Sequence, residues 1–186
     1  MDQSSSFWRD AKKEIFRLQL LNFYADDTCI PEFNQFLDNK FIDYEGVIGV
    51  KEWDKGLQDK KLQGVNIVNL HVTDLPLDNG LRFGVGFLRV HEKYGMRSWF
   101  VKREEVNDII GGFRDFWMFD SKVVVPVIYN NNLWVKENEP LTDHNEVAKY
   151  IALKEALLKV STPMESFIRN NNVDLKPVSK KDRIRC

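Results

Sequence analysis

Cysteine is nearly absent: the 186 residues hold only Cys29 and Cys186. That is too few for a disulfide framework and points to a reduced, cytoplasmic setting. Histidine is almost as scarce, with His71, His91 and His144 alone, and their spacing offers no zinc-type ligand set. No phosphate loop, dinucleotide fingerprint, nucleophile elbow or EF-hand loop is present, so neither a metal nor a cofactor is expected. The paired Gly84 and Gly86 lack the third glycine and the preceding strand of a phosphate cradle. No apolar run approaches the roughly 20 residues that cross a bilayer, and the opening Met-Asp-Gln-Ser-Ser-Ser has no apolar signal core, so no membrane partner is expected. Net charge is missing as well. Twenty-seven Lys and Arg face 28 Asp and Glu, a balance of −1, which argues against a whole-surface binder of nucleic acid.

What the chain does have is aromatic mass, 13 Phe and five Trp, enough for a dense core. Its length suits one globular α/β (α+β) domain, residues 1–169, followed by a polar basic tail over 170–186 that reads as flexible. Ser4 to Ser6 and the spacing of Phe7, Ala11, Ile15 and Leu18 predict a long helix over 6–24. Pro31 starts a second helix with Phe33, Phe36 and Leu37 inside, and a third around Trp53 and Leu57 closes at Gly64. After Gly64 the β-branched run 65–72 predicts a buried strand, and Ser98 to Val101 a short one. Residues 81–91 stay ambiguous between helix and irregular chain because of Gly84 and Gly86. The runs 116–119, 123–129 and 133–135 predict an antiparallel meander, with Pro126 at a bulge or an edge. Asp143 with Glu146 predicts the cap of a long C-terminal helix, and Thr162-Pro163 the cap of a short last one. Together these give a mixed, partly antiparallel sheet of about five or six strands, with N-terminal helices and a long C-terminal helix packed on it.

Few polar residues fall in awkward places. His71 lies within an apolar strand, where it is either a satisfied structural residue or part of a cavity lining; His91 and His144 read as exposed. Arg17, between Phe16 and Leu18, either snorkels outward or pairs with a carboxylate, for which Asp115 and Asp120 have the right chemistry. For Asp120 the competing reading is turn chemistry with Ser121.

Three segments resemble one family. They are Phe16-Arg17-Leu18-Gln19 with Tyr24 downstream; His71-Val72 leading to Leu75-Pro76-Leu77 and Leu81-Arg82-Phe83; and Asp115-Phe116-Trp117-Met118-Phe119-Asp120. In this order they are similar to an uncharacterised bacterial domain of unknown function, common in actinomycetes and often encoded near helix-turn-helix regulators. The resemblance spans about residues 7–165, and the Asp-Phe-Trp-hydrophobic-Phe-Asp motif is its most specific part. It implies a fold similar to half of a phospholipase D-like domain. Such enzymes need a histidine nucleophile and a lysine two residues later, whereas this chain has Asp115 and Trp117 at the matching strand, so phosphodiester cleavage of that kind is not expected. The chain also departs from the family pattern at Gln19, Asn69, Gly80 and Gly84, which stand where a glutamate, an arginine, an aromatic and a glutamate are usual.

Two functions follow as expectations. One is a cytoplasmic ligand-binding or regulatory domain, taking a small anionic ligand or a protein partner such as a helix-turn-helix regulator, with Arg17, Tyr24, Arg82, Trp117 and Asp120 as binding residues. The other is a small transferase acting on an activated or RNA-linked substrate, with His71 and Asp115 as its acid/base pair and Arg17 beside them. Nucleic-acid contact through the tail, which carries a local charge of +3, is the less favoured third reading.

Overall fold

In the computed structural model, which describes residues 3–22, 24, 30–47, 50–130, 133–137 and 139–178, the first helix, α1 (Gln3–Asp10), is short. Glu14–Gln19 then forms strand β1. This corrects the helix expected over 6–24. A strand covered on both faces loses the apolar–polar alternation, and in Ile15-Phe16-Arg17-Leu18 both faces of β1 carry buried apolar side chains with only Arg17 interrupting, so periodicity alone could not separate it from a helix.

The chain continues through α2 (Pro31–Leu37), a 3-10 turn at Tyr44–Gly46, α3 (Val50–Leu62) and β2 (Asn66–Thr73). It goes on through α4 (Asn79–Lys93), β3 (Met96–Lys102), α5 (Arg103–Ile110), β4 (Phe116–Phe119), β5 (Val123–Asn130) and β6 (Leu133–Glu137), and ends with α6 (His144–Val160), β7 (Thr162–Pro163) and α7 (Met164–Asn170). Among the described residues the strands run β6-β5-β4-β1-β2-β3-β7. Strands β1, β2 and β3 are parallel; β4, β5 and β6 extend the sheet antiparallel on one side, and the two-residue β7 pairs antiparallel with β3. The class is α/β with a mixed sheet.

The sheet is covered on both sides. One face sets Ile15, Ile67, Met96, Phe100, Phe119 and Val125 against Leu57 of α3, Leu81, Val85 and Leu88 of α4, and Met164 and Phe167 of α7. The other sets Phe16, Leu18, Leu70, Val101 and Phe116 against Val106 of α5 and Val147, Leu153 and Leu157 of α6. Each such buried side chain contributes about 1.5–3 kcal/mol of transfer free energy, so two covered faces give the sheet ample drive to form.

Several local expectations hold. Gly64 takes a left-handed φ of 76° between α3 and β2, and the Asp143 carboxylate caps α6 by accepting from the Asn145 and Glu146 amides. Others are corrected. Residues 79–93 are helical despite three glycines, because the Asp78 side chain caps the helix at the Leu81 amide and Gly86 leaves room for the Tyr44 ring. Pro126 is interior, opposite Phe116. Its missing N–H falls where the outer neighbour of β5 changes from β6 to Leu141, and the irregularity in the ladder lies further on, between Ile128 and Tyr129. Thr162 pairs with Phe100 in β7 instead of capping α7, whose N-cap is Pro163. Of the segment expected as tail, Val173 and Leu175 pack against the core and the Val178 amide donates to Asn79 Oδ1 at 2.8 Å. Residues from 179 onward lie outside the described residues.

Candidate functional site

Alternation along β1 sends Arg17 and Gln19 to the same face as Ile15, and in β2 Asn69 and His71 to the same face as Ile67. The register places Arg17 between Trp117 of β4 and Asn69 of β2, and Asn69 beside Ser98 of β3. Gln19 lies next to His71, which lies next to Phe100. A polar band therefore crosses the middle of an otherwise apolar sheet face.

The band is deeply buried, with Asn69 3% exposed, His71 4% and Ser98 2%. Asn69 Nδ2 lies 2.9 Å from His71 Nε2. An amide nitrogen only donates, so Nε2 accepts and the neutral imidazole carries its proton on Nδ1. The ring stacks on Phe100 at 5.0 Å. Burial first, and the nearby Arg17 charge second, push its pKa down to about 3. Three polar atoms of this band, Asn69 Oδ1, His71 Nδ1 and Ser98 Oγ, have no hydrogen-bond partner. Buried polar groups are nearly always paired, and a cluster of exceptions needs a cause.

Beside the band stands a satisfied network. Asp115 accepts from the Leu20 amide at 2.9 Å and from the Tyr24 hydroxyl at 2.6 Å. The Tyr129 hydroxyl also bonds Asp115, and Arg17 donates to that hydroxyl. The Arg17 guanidinium lies 4.7 Å from the Trp117 ring centroid, a cation–π contact. Burial raises the Asp115 pKa against the opposing pull of these donors and of Arg17. It also raises the pKa of Tyr24, and Asp115 adds to that shift.

Of the residues singled out in the sequence, Arg17, Tyr24, His71, Asp115 and Trp117 share this region. His71 and Asp115 are held apart by β1, which runs between β2 and β4. Asp120 sits at the opposite end of β4. Its carboxylate accepts from the backbone amides of Lys12, Lys13 and Glu14 at 2.7 to 3.2 Å, and it makes the turn with Ser121 at positive φ. Arg82 is elsewhere too, donating to the carbonyls of Leu77, Asp174 and Lys176. His91 is not exposed as expected. It packs under Trp53, with Nε2 3.8 Å from Asp54 Oδ1, and burial lowers its pKa to about 4.

Sequence reasoning missed Ser98, Tyr129 and Arg103 as members of the region and took Asn69 only as a departure from a family pattern. The signal for Asn69 was present, as a second polar residue at period two from His71. Arg103 bonds the carbonyls of Leu20 and Val72 and pairs with Asp74 at 3.3 Å, while Asn22 also holds Asp74 at 2.6 Å. These contacts tie together the ends of β1 and β2. Nothing local in the sequence announces such a tie. Among the described residues no group of three or more His, Cys, Asp and Glu is placed to hold a metal ion, and no helix is long and apolar enough to cross a membrane.

Comparison with known proteins adds a family. No curated protein matches the chain. Among solved structures it is similar to TrmBL2, an archaeal chromatin protein described as showing a novel mode of DNA binding, at 12% identity and a TM-score of 0.44. That alignment covers 86% of this chain and 49% of the archaeal one, so the chain spans about half the length of that protein. A match to a family described as a domain of unknown function extends over residues 2–169, nearly the whole of the chain: the protein belongs to the DUF6879 family.

Proposed function

We propose that this domain binds a small molecule between the polar band of the sheet and the helices above it, and that it serves a regulatory or interaction role without chemistry on its ligand. One observation carries the reading: Asn69 Oδ1, His71 Nδ1 and Ser98 Oγ are buried together without partners. Each such atom costs about 1–3 kcal/mol in an otherwise well-paired interior, and a bound molecule that paired them would recover that cost. They lie mid-strand on the parallel part of the sheet, on the face that α4 and α7 cover. Arg17 and Tyr129, both half-buried, form the side of the site nearer solvent.

The transferase reading has less support. An acid/base pair needs both groups within reach of one reacting atom. Here β1 separates His71 from Asp115, the Asp115 oxygens are held by Leu20, Tyr24 and Tyr129, and an imidazole with a pKa of about 3 is a weak base.

Native mass spectrometry of the purified chain, followed by denaturing release, tests the binding reading. A released small molecule that is lost from a folded Asn69→Leu variant supports it. A chain that carries nothing, or turnover of a phosphoester or acyl substrate abolished by His71→Ala, overturns it.

A further inference from the structure

The hydrogen-bonding groups left over at the site define its ligand more narrowly. Asn69 Oδ1 is an acceptor, His71 Nδ1–H a donor, and the Ser98 hydroxyl either. An occupant must therefore bring a donor and an acceptor together. Charge points the same way. Arg17, the cation beside the band, lies near Asp115, donates to the Tyr129 hydroxyl and covers the Trp117 ring. The Asp115 carboxylate accepts from one amide and two phenols. Arg82, the other cation that an anion would require, spends its donors on three backbone carbonyls away from the site. An entering anion would meet an orphaned acceptor and a cation already engaged, at a desolvation cost of several kcal/mol.

We infer that the ligand is an uncharged polar molecule carrying hydrogen-bond donor and acceptor groups together, and not the small anion that Arg17 and Arg82 suggest in the sequence. This rests on the binding reading above. An amide and a hydroxyl compound both offer the required pair. The probes are therefore acetamide, its isosteric anion acetate, and ethylene glycol.

The experiment follows the His71 ring nitrogens by NMR in the full ¹⁵N-labelled chain at neutral pH while each probe is titrated. Acetamide or ethylene glycol is expected to shift the Nδ1 resonance saturably, with acetate weaker by about tenfold or more, a difference of about 1.4 kcal/mol. The response is expected to vanish in Asn69→Leu and to weaken in the milder Ser98→Ala, whose fold is checked by its amide spectrum. Which neutral probe acts separates an amide from a hydroxyl ligand. A response to acetate equal to or stronger than that to acetamide overturns the inference while leaving the binding reading intact, as does release of an anionic molecule from the native protein. Silence from all three probes, together with a chain that releases nothing, overturns both.

Discussion

Asp115 and Asp120 close the two ends of β4, about 17 Å apart at a strand rise of roughly 3.4 Å per residue, and their surroundings drive them in opposite directions. Burial dominates at Asp115 and raises its pKa. At Asp120 burial also acts upward, but the amides of Glu14, Lys12 and Lys13 outweigh it, and the net shift is downward. A depressed carboxylate contributes stability that is present above its unfolded pKa of about 3.9 and is lost as pH falls through the folded value. Asp120→Asn keeps a side chain tolerant of the positive φ but loses the charged acceptor. It is expected to lower stability at neutral pH by about 1–3 kcal/mol in urea titration. Gly86 gives a second residue-scale test. A Cβ there would lie 2.1 Å from the Tyr44 ring, a ring that also contacts Phe83 and Phe87. Gly86→Ala therefore forces Tyr44 aside, and a loss of about 1–3 kcal/mol should outweigh the gain in helix propensity. Tyr44→Ala in the same background should remove most of the further penalty, which a double-mutant cycle measures.

At the scale of elements, α4 is the organiser. It packs on the sheet through Leu81, Val85 and Leu88, carries Phe83 into the separate cluster with Phe33, Phe36 and Leu37 of α2, and holds the chain after α7 through Arg82 and Asn79. Arg82 is 7% exposed, and its donors end on carbonyls of Leu77, Asp174 and Lys176. Arg82→Met keeps much of the volume and removes the bonds. Amide exchange of Val178, now bonded to Asn79, is expected to accelerate by at least about tenfold, an opening easier by about 1.4 kcal/mol, while the β2 amides stay protected. Equal loss of protection in β2 would mean that the segment is part of the main cooperative unit. The elements differ in how plainly the sequence declared them. Strands β2 and β4 to β6 were legible because β-branched and aromatic runs alternate with turn residues. Strand β1 and helix α4 were not, the first because burial on both faces erases the period-two signal, the second because its glycines normally weaken a helix, although one of them, Gly86, serves here to admit the Tyr44 ring.

The whole molecule carries an acid sensitivity set by its interior. His71 and His91 are pushed down to about 3 and about 4, in each case by burial first and the Arg17 charge second. Their folded pKa values lie below the unfolded value of about 6.5, so the unfolded chain takes up protons first as pH falls. Stability should therefore be undiminished above about pH 6.5 and should fall below it, until pH reaches about 4 for His91 and about 3 for His71. The slope is at most about 1.4 kcal/mol per pH unit for each group. Asp54, Glu92 and Asp115, raised chiefly by burial, act with the opposite sign and blunt the slope at its acid end. Urea midpoints at pH 7 and pH 5 are expected to differ clearly for the wild-type chain and much less for His71→Gln/His91→Gln. An unchanged slope in that variant would place the sensitivity in other groups.

By itself the sequence determined much of the core composition, the Asp143 cap of α6, the turn at Asp120, and the family. Each of these is written within a few neighbouring residues, as in Asp143 with Glu146, Asp120 with Ser121, or the motif from Asp115 to Asp120. It also marked Arg17, Tyr24, His71, Asp115 and Trp117 without saying that they meet. Only the tertiary structure decided that β1 runs between β2 and β4, and that decision set Arg17 beside Trp117 and Asn69, kept His71 apart from Asp115, and sent Asp120 and Arg82 to structural posts. The reason is physical. Whether a polar side chain is paired, orphaned or charged depends on which strands flank it in the sheet, and strand order is fixed by contacts between residues far apart in the chain.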